Sequence, residues 1–290
     1  MFGFLNVRKP AGPTSHDIVA QVRRRLARTI KVGHAGTLDP FAEGVLVLCV
    51  GQATRLVEYL HEQPKRYRAM VRLGAVSSTD DPQGEITPTP GAAAPAESAV
   101  KAAMERLAGQ IQQVPPAHSA VHVEGCRAYA LARRGQVVEL SPRAVTIHSL
   151  ELLRYDWPTL QIDVRCGTGT YIRSLARDIG AALGVGGYCE ALTRTAVGPF
   201  ELAEAHPAEQ LDLPRDLVDP LVVVSHLSSL RLDQRQLKDI CLGRAIGLPQ
   251  PAPAAPGQQL VLLDPAGRLA AIAQAMPQDQ ARPVKVFASR

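Results

Sequence analysis

Residues 33–51 read GHAGTLDPFAEGVLVLCVG, and this stretch decides the fold. Its second half, from Val45 to Val50, is apolar at every position, so the strand it forms has no solvent face and lies in a sheet covered on both sides. Its first half sets three glycines and Pro40 around Asp39, which makes a bent loop that runs straight into that strand. An acid just ahead of a buried strand is a candidate catalytic group. Asp before Pro more often serves simply to start a turn, and His34, taken alone, reads first as an ordinary loop histidine.

Working outward, residues 3–9 (GFLNVRK) form a short strand closed by Pro10. Thr14 or Ser15 then caps a helix over about 17–29, with Ile18, Val19, Val22 and Leu26 on one face and Arg23, Arg24, Arg25 and Arg28 among the rest. A helix over 52–62 and a half-buried strand over 66–76 follow. Residues 77–98 lose all periodicity and fill with Pro, Gly, Ser and Thr, which predicts an exposed loop. A helix near 98–108 and strands at 121–126, 137–140, 144–155 and 159–166 lead to GTGTYIRSLARDIGAALG, a turn opening a helix. Strands and helices intermingle without regular alternation, which predicts an α+β fold with a mixed sheet. Residues 201–220 carry six acids and three prolines and read as a hinge. Beyond it, one helix over 231–247 and short strands at 259–264, 268–274 and 282–287 suggest a small barrel-like module. The expected domains are 1–222 and 223–290.

The chain has 290 residues, 46% of them apolar and 20% charged, as a folded globular protein has. Its formal charge of +5 is unevenly placed: residues 1–75 hold 12 Lys/Arg against 5 Asp/Glu, the remainder 20 against 22. A local basic surface fits a polyanionic partner. The longest uncharged apolar run, Gly44–Gly51, is far short of the ~20 residues that span a bilayer. The N-terminus has no signal-like apolar stretch, and five scattered cysteines without CxxC argue against a disulfide framework or a zinc ribbon. A reduced, cytoplasmic protein without a membrane segment or a structural metal is expected.

Two further motifs bear chemistry. Gly167–Ser174 (GTGTYIRS) lacks the Lys-Ser/Thr ending of a P-loop, but sets Tyr171 and Arg173 two residues apart, an aromatic face beside a carboxylate-binding fork. Lys65-Arg66-Tyr67-Arg68 interleaves cations with a ring, a pattern suited to single-stranded RNA and also to a solvated strand end. HxE…CxxC and GxSxG are both absent.

Five ordered blocks carry a resemblance: NVRKPAGPTSHDIV, KVGHAGTLDPFAEGVLVLCVGQATR, KRYRAMVRLG with the later TDDPQGE, VPPAHSAVHVEGCRAYALAR, and RCGTGTYIRSLARDIG. Together they closely resemble the bacterial tRNA pseudouridine-55 synthases of the TruB type, over roughly residues 4–200. The tail more weakly resembles the small PUA domain. The resemblance implies a mixed, largely antiparallel sheet with flanking helices, the pseudouridine synthase fold, followed by a PUA-like β-barrel module that binds RNA. It implies an isomerase that flips uridine 55 out of the T-arm of tRNA and needs no cofactor, acting as a monomer without an obligatory protein partner. It makes Asp39 the catalytic aspartate, with its pKa held down by Arg173. Tyr67 would stack on the base, Tyr171 and Leu192 would wall the site, and His34 would lie near the flipped nucleotide. Lys9, Arg23, Arg24, Arg28, Lys31, Lys65 and Arg66 would hold RNA phosphates. The chain departs from the pattern at His122, at Gly186-Gly187-Tyr188 and at Thr193-Arg194, where an Arg pair is commoner. A non-catalytic RNA-binding or tRNA-folding protein using the same basic surface is the alternative.

Overall fold

The computed structural model describes residues 2–117 and 140–288, together with the backbone of 122–123 and 126–127. The chain begins with β1 (Gly3–Lys9), α1 (Ser15–Arg23), β2 (Val32–His34) and β3 (Glu43–Val50). A 3₁₀ turn over Gly51–Leu56, α2 (Val57–Glu62), β4 (Lys65–Leu73), β5 (Ala75–Ser77), β6 (Ile86–Pro88), α3 (Glu97–Glu105) and β7 (Gly109–Gln113) follow. After the short pair β8 (His122–Val123) and β9 (Cys126–Arg127) come β10 (Arg143–Asp156), β11 (Thr159–Cys166), α4 (Ile172–Ala182) and β12 (Gly187–Val197). Two short strands, β13 (Phe200–Glu201) and β14 (His206–Pro207), then lead through α5 (Leu221–Val224) to β15 (Ser228–Arg231) and α6 (Gln234–Cys241). The last strands are β16 (Ile246–Gly247), β17 (Gln259–Leu263), β18 (Leu269–Met276) and β19 (Gln280–Val286).

The main sheet runs β14-β1-β3-β12-β4-β11-β10-β7, with β2 beside β3 and β13 beside β12. Among the described residues only β1–β14 and β3–β12 are parallel in this sheet, so it is mixed and largely antiparallel, as expected. The decisive strand, β3, is buried from Gly44 to Val50 and sits between β1 and β12. One apolar cluster packs β4, β11 and β12 against α3 and α4, and a second packs β1 and β3 under α1. A third joins β3 and the helix pair at 51–62 to Phe287 and to Val261, Leu269 and Ile272 of the C-terminal five-stranded sheet, ordered β15-β17-β18-β19-β16.

Several sequence expectations are corrected. Helix α1 ends at Arg23 rather than near 29, because Arg25 turns back to donate to the carbonyls of Ala208 and Leu211. Thr14, not Ser15, is its cap, in a reciprocal pair with Asp17. The segment 201–220 is a strap rather than a hinge: β14 pairs with the free edge of β1, Phe4 and Val218 exchange both backbone hydrogen bonds, and Ala208 and Leu211 are buried. The 77–98 region is not simply an exposed loop, since β5 and β6 form a hairpin whose connection buries Asp81. Helix α6 is shorter than 231–247: Asp233 caps it and Gly243, at φ +76°, ends it. The expected strands at 121–126 and 137–140 fall largely outside the described residues, as does the side chain of His122. The unusual Gly186-Gly187 pair has a packing reason. A Cβ on Gly180 of α4 would come within 2.3 Å of their backbone, so helix and strand meet here at glycine distance.

Candidate active site

The Asp39 loop is fixed by its carbonyls. Gly12 N–H donates to Pro40 O at 2.7 Å, and Ala42 N–H to Asp39 O at 3.1 Å. The Ser15 hydroxyl donates to Leu38 O and accepts from Leu38 N–H, both at 2.9 Å. Lys9 Nζ donates to Pro10, Pro40 and Ala42. Arg194 donates to Gly36, Thr37 and Val45. A loop this heavily bonded is pre-organised, and its one acid is presented in a set direction.

That acid meets Arg173. The Arg173 Nε lies 3.0 Å from Asp39 Oδ2, and its Nη1 lies 2.9 Å from Asp81 Oδ2 and 3.2 Å from Thr79 O. The guanidinium is 6% exposed while the Asp39 side chain keeps 34%, so the arginine is structural backing and the carboxylate remains approachable. Asp81 is itself held by the Thr79 hydroxyl at 2.6 Å and by Gln83 N–H at 3.0 Å. Arg173 is aimed by α4, whose start is clamped: Gln113 accepts from Tyr171 N–H and donates to Tyr171 O, and the Ser174 hydroxyl donates to Val114 O.

Sheet register brings in the rest. Thr193-Arg194 lie beside Glu43-Gly44, Arg194 is opposite Tyr67, and Tyr67 is opposite Val164 just before the β11 turn into Tyr171. Tyr67 is half-buried and packs on the same apolar cluster as Leu38 and Leu192. Asp39, Arg173, Tyr67 and Leu192 are thus gathered at one end of the sheet, with Tyr171 on the turn into α4.

Electrostatics at Asp39 differ from expectation. Burial pushes its carboxyl above the ordinary aspartate range, Arg173 opposes this, and Asp81 adds to it. The arginine limits the rise rather than producing a fall. His34 stands at the end of β2 with its ring edge-on to His16, centroids 5.2 Å apart. Burial, aided by His16, lowers its pKa to about 4, and its Nδ1 has no hydrogen-bond partner among the described residues.

Two expected phosphate-binding residues are corrected. Lys9 is fully buried, with its ammonium committed to three carbonyls, and Lys65 is buried with its ammonium donating to His61 O; desolvation lowers both to a pKa of about 8. Arg23 bonds Val32 O, and Arg66 pairs with Asp163 at 2.7 Å while staying half-exposed. Arg24, Arg28 and Lys31 are exposed. The residues that sequence reasoning missed are Asp81, Ser15 and Gln113. Asp81 had a signal, the TDDPQGE block, but its polar neighbours read as solvated loop.

Residues 24–172 match the "TruB family pseudouridylate synthase (N terminal domain)", and 173–231 match the "tRNA pseudouridylate synthase B C-terminal domain". The chain belongs to the TruB family of pseudouridylate synthases. It is an isomerase. A "tRNA pseudouridine synthase B" of Thermobifida fusca (strain YX) is 45% identical over 296 residues, 99% of this chain and 98% of that one. Its namesake in Arthrobacter sp. (strain FB24) is 44% identical over 99% of this chain and 96% of its own. The TruB-family fold is also seen in a chain of a structure described as "Crystal Structure of a Cbf5-Nop10-Gar1 Complex", with TM-score 0.71, 25% identity, and coverage of 100% of this chain and 84% of that one. The second family match ends with β15, so most of the five-stranded C-terminal sheet of this TruB-family synthase lies beyond it.

Proposed function

We propose that this synthase converts uridine 55 in the T-arm of tRNA to pseudouridine, with Asp39 as its catalytic group. The observation that carries the reading is the approachable Asp39 carboxylate held at 3.0 Å by a buried arginine, on a loop hydrogen-bonded to Lys9, Ser15 and Arg194. The isomerisation breaks N1–C1′, turns the uracil and joins C5 to C1′, and the proton lost at C5 is balanced by one gained at N1. No electron or group donor enters. A carboxylate serves this reaction by attacking C1′ or by taking a ribose proton, and both routes need it ionised. Arg173 favours that state against the cost of burial.

A uridine stacked in the T-loop is out of reach, so it leaves its stack and enters the site, where Tyr67 supplies a face for the base. Base–aromatic contact is worth about 1–3 kcal/mol, which offsets part of the unstacking. Tyr171 and Leu192 wall the site, and neutral His34 takes the space the nucleotide vacates. The exposed cations Arg24, Arg28 and Lys31, with the C-terminal module, hold the RNA backbone.

The test is Asp39→Asn, which keeps shape and removes charge. The reading predicts stem-loop binding within about threefold of wild type and no detectable pseudouridine. A variant that still turns over would remove Asp39 from the catalytic role. A wild-type protein that binds but modifies nothing would favour the non-catalytic RNA-binding alternative.

A further inference from the structure

Arg194 bonds carbonyls on both sides of Asp39 and sits where the two halves of the site join. We propose that Arg194 is a positioning residue that locks the Asp39 loop to the Tyr67 strand and so sets the gap into which the nucleotide fits. This rests on the reading of Asp39 as the catalytic group.

Three observations support it. First, register: on β12, Arg194 has Gly44 of β3 beside it and Tyr67 of β4 opposite. The approach to β3 is as close as glycine permits, since a Cβ on Gly44 would fall 2.2 Å from Arg194 O, and Gly44 holds φ +109°. Second, the side chain is nearly fully buried and its fork reaches both sides of the loop. Nη2 and Nη1 donate to Gly36 O at 3.1 Å and Thr37 O at 3.2 Å, ahead of Asp39, while Nε donates to Val45 O at 2.7 Å, after it. One rigid planar group therefore closes the base of the bend that carries Asp39, which a lysine ammonium on a flexible stem cannot copy. Third, the same guanidinium faces the Tyr67 hydroxyl and interacts with it. Loop and stacking ring thus share one anchor.

A buried cation among neutral carbonyls is costly unless a negative charge is near. The charged and titratable groups facing Asp39 are Arg173, Asp81, Arg194, Lys9, Tyr67 and Cys189, while Arg194 also faces Lys9, His34, Lys65 and Tyr67. Asp39 is the carboxylate whose ionised form Arg194 favours, so the bolt carries charge as well as geometry.

The experiment compares Arg194→Gln and Arg194→Lys with wild type and Asp39→Asn on one unmodified T-arm stem-loop, below each variant's melting temperature. Arg194→Gln is expected to lower the single-turnover rate by about 100-fold with RNA affinity within about threefold, as misplacement of a reacting group does. It also moves the acid limb of the pH–rate profile to higher pH. Arg194→Lys keeps the limb at the wild-type pH, because the charge stays, and loses about tenfold in rate, because the fork is gone. A folded Arg194→Gln with wild-type rate, a loss confined to RNA affinity, or an unmoved acid limb would overturn the proposal. If Arg194→Gln does not fold, Arg194→Lys decides: a wild-type rate overturns the proposal, and a slowed one at unchanged affinity supports it. Failure of the catalytic reading shows separately, as turnover by Asp39→Asn or none by wild type, and takes this inference with it.

Discussion

At the residue scale, Asp39 is held in a state that costs the fold something. Its pKa is raised in the native protein, so between the ordinary aspartate value and that raised value the folded chain binds more protons than the unfolded one, and stability falls as pH rises through that window. Above the window the full cost persists. Asp39→Asn is therefore expected to raise the melting temperature at neutral pH while abolishing turnover, and its advantage should shrink as acid protonates the wild-type carboxyl. Thermal melts of both proteins across pH check this; a variant less stable than wild type at pH 7 would mean that the Arg173 pair outweighs desolvation. Wild-type turnover should correspondingly fall on acidification through a pKa above that of a solvated aspartate. His34 acts with the opposite slope. Its pKa of about 4 lies below the unfolded value, so its contribution is lost as pH falls from about 6.5 to about 4.

At the element scale, neighbouring residues of one helix start do different work. Thr14 caps α1, whereas Ser15, one position on, bonds both backbone groups of Leu38 in the Asp39 loop. Thr14→Ala should cost about 1 kcal/mol of stability and leave the rate unchanged. Ser15→Ala should slow turnover by about tenfold or more, because Leu38 is released beside Asp39. Melts and single-turnover rates on the two variants separate these outcomes, and equal rates for both would show that the loop needs no clamp from α1. The PTSHD run marks a helix start correctly, but no local signal tells which hydroxyl faces the helix and which faces a loop 23 residues away. The same limit hides the early end of α1, drawn off by the Ala208 and Leu211 carbonyls, and the burial of Asp81, whose partner Arg173 lies 92 residues on. Local features were legible where chemistry is local: the strand at 43–50 in its apolar run from Val45 to Val50, the Asp39 loop in its glycines, and the helix that aims Arg173 in its opening turn.

At the scale of the whole molecule, the C-terminal sheet is joined to the rest by apolar packing and by a ring of polar contacts. The Tyr59 hydroxyl meets Gln259 Oε1 at 2.7 Å, Arg55 donates to Val286 O and lies over the Phe287 ring, and Lys285 pairs with Glu58. Sequence composition located this module but not its docking face, because pairings 200 or more residues apart leave no periodicity to read. The surplus of positive charge in the first 75 residues was visible, yet only part of it faces solvent: Lys9 and Lys65 are committed inside, and Arg24, Arg28 and Lys31 are outside. Replacing Arg24, Arg28 and Lys31 by Gln should weaken stem-loop binding and reduce the salt slope by about one for each phosphate no longer neutralised, without changing the rate at saturating RNA. An unchanged slope would move the RNA track elsewhere. The most direct test of the central claim is a nucleotide-resolution map of pseudouridine in an unmodified T-arm stem-loop after incubation with wild type or Asp39→Asn. The account predicts a single modified base, at uridine 55, with wild type and none with the variant; modification by the variant, or wild-type modification only at another position, would contradict it.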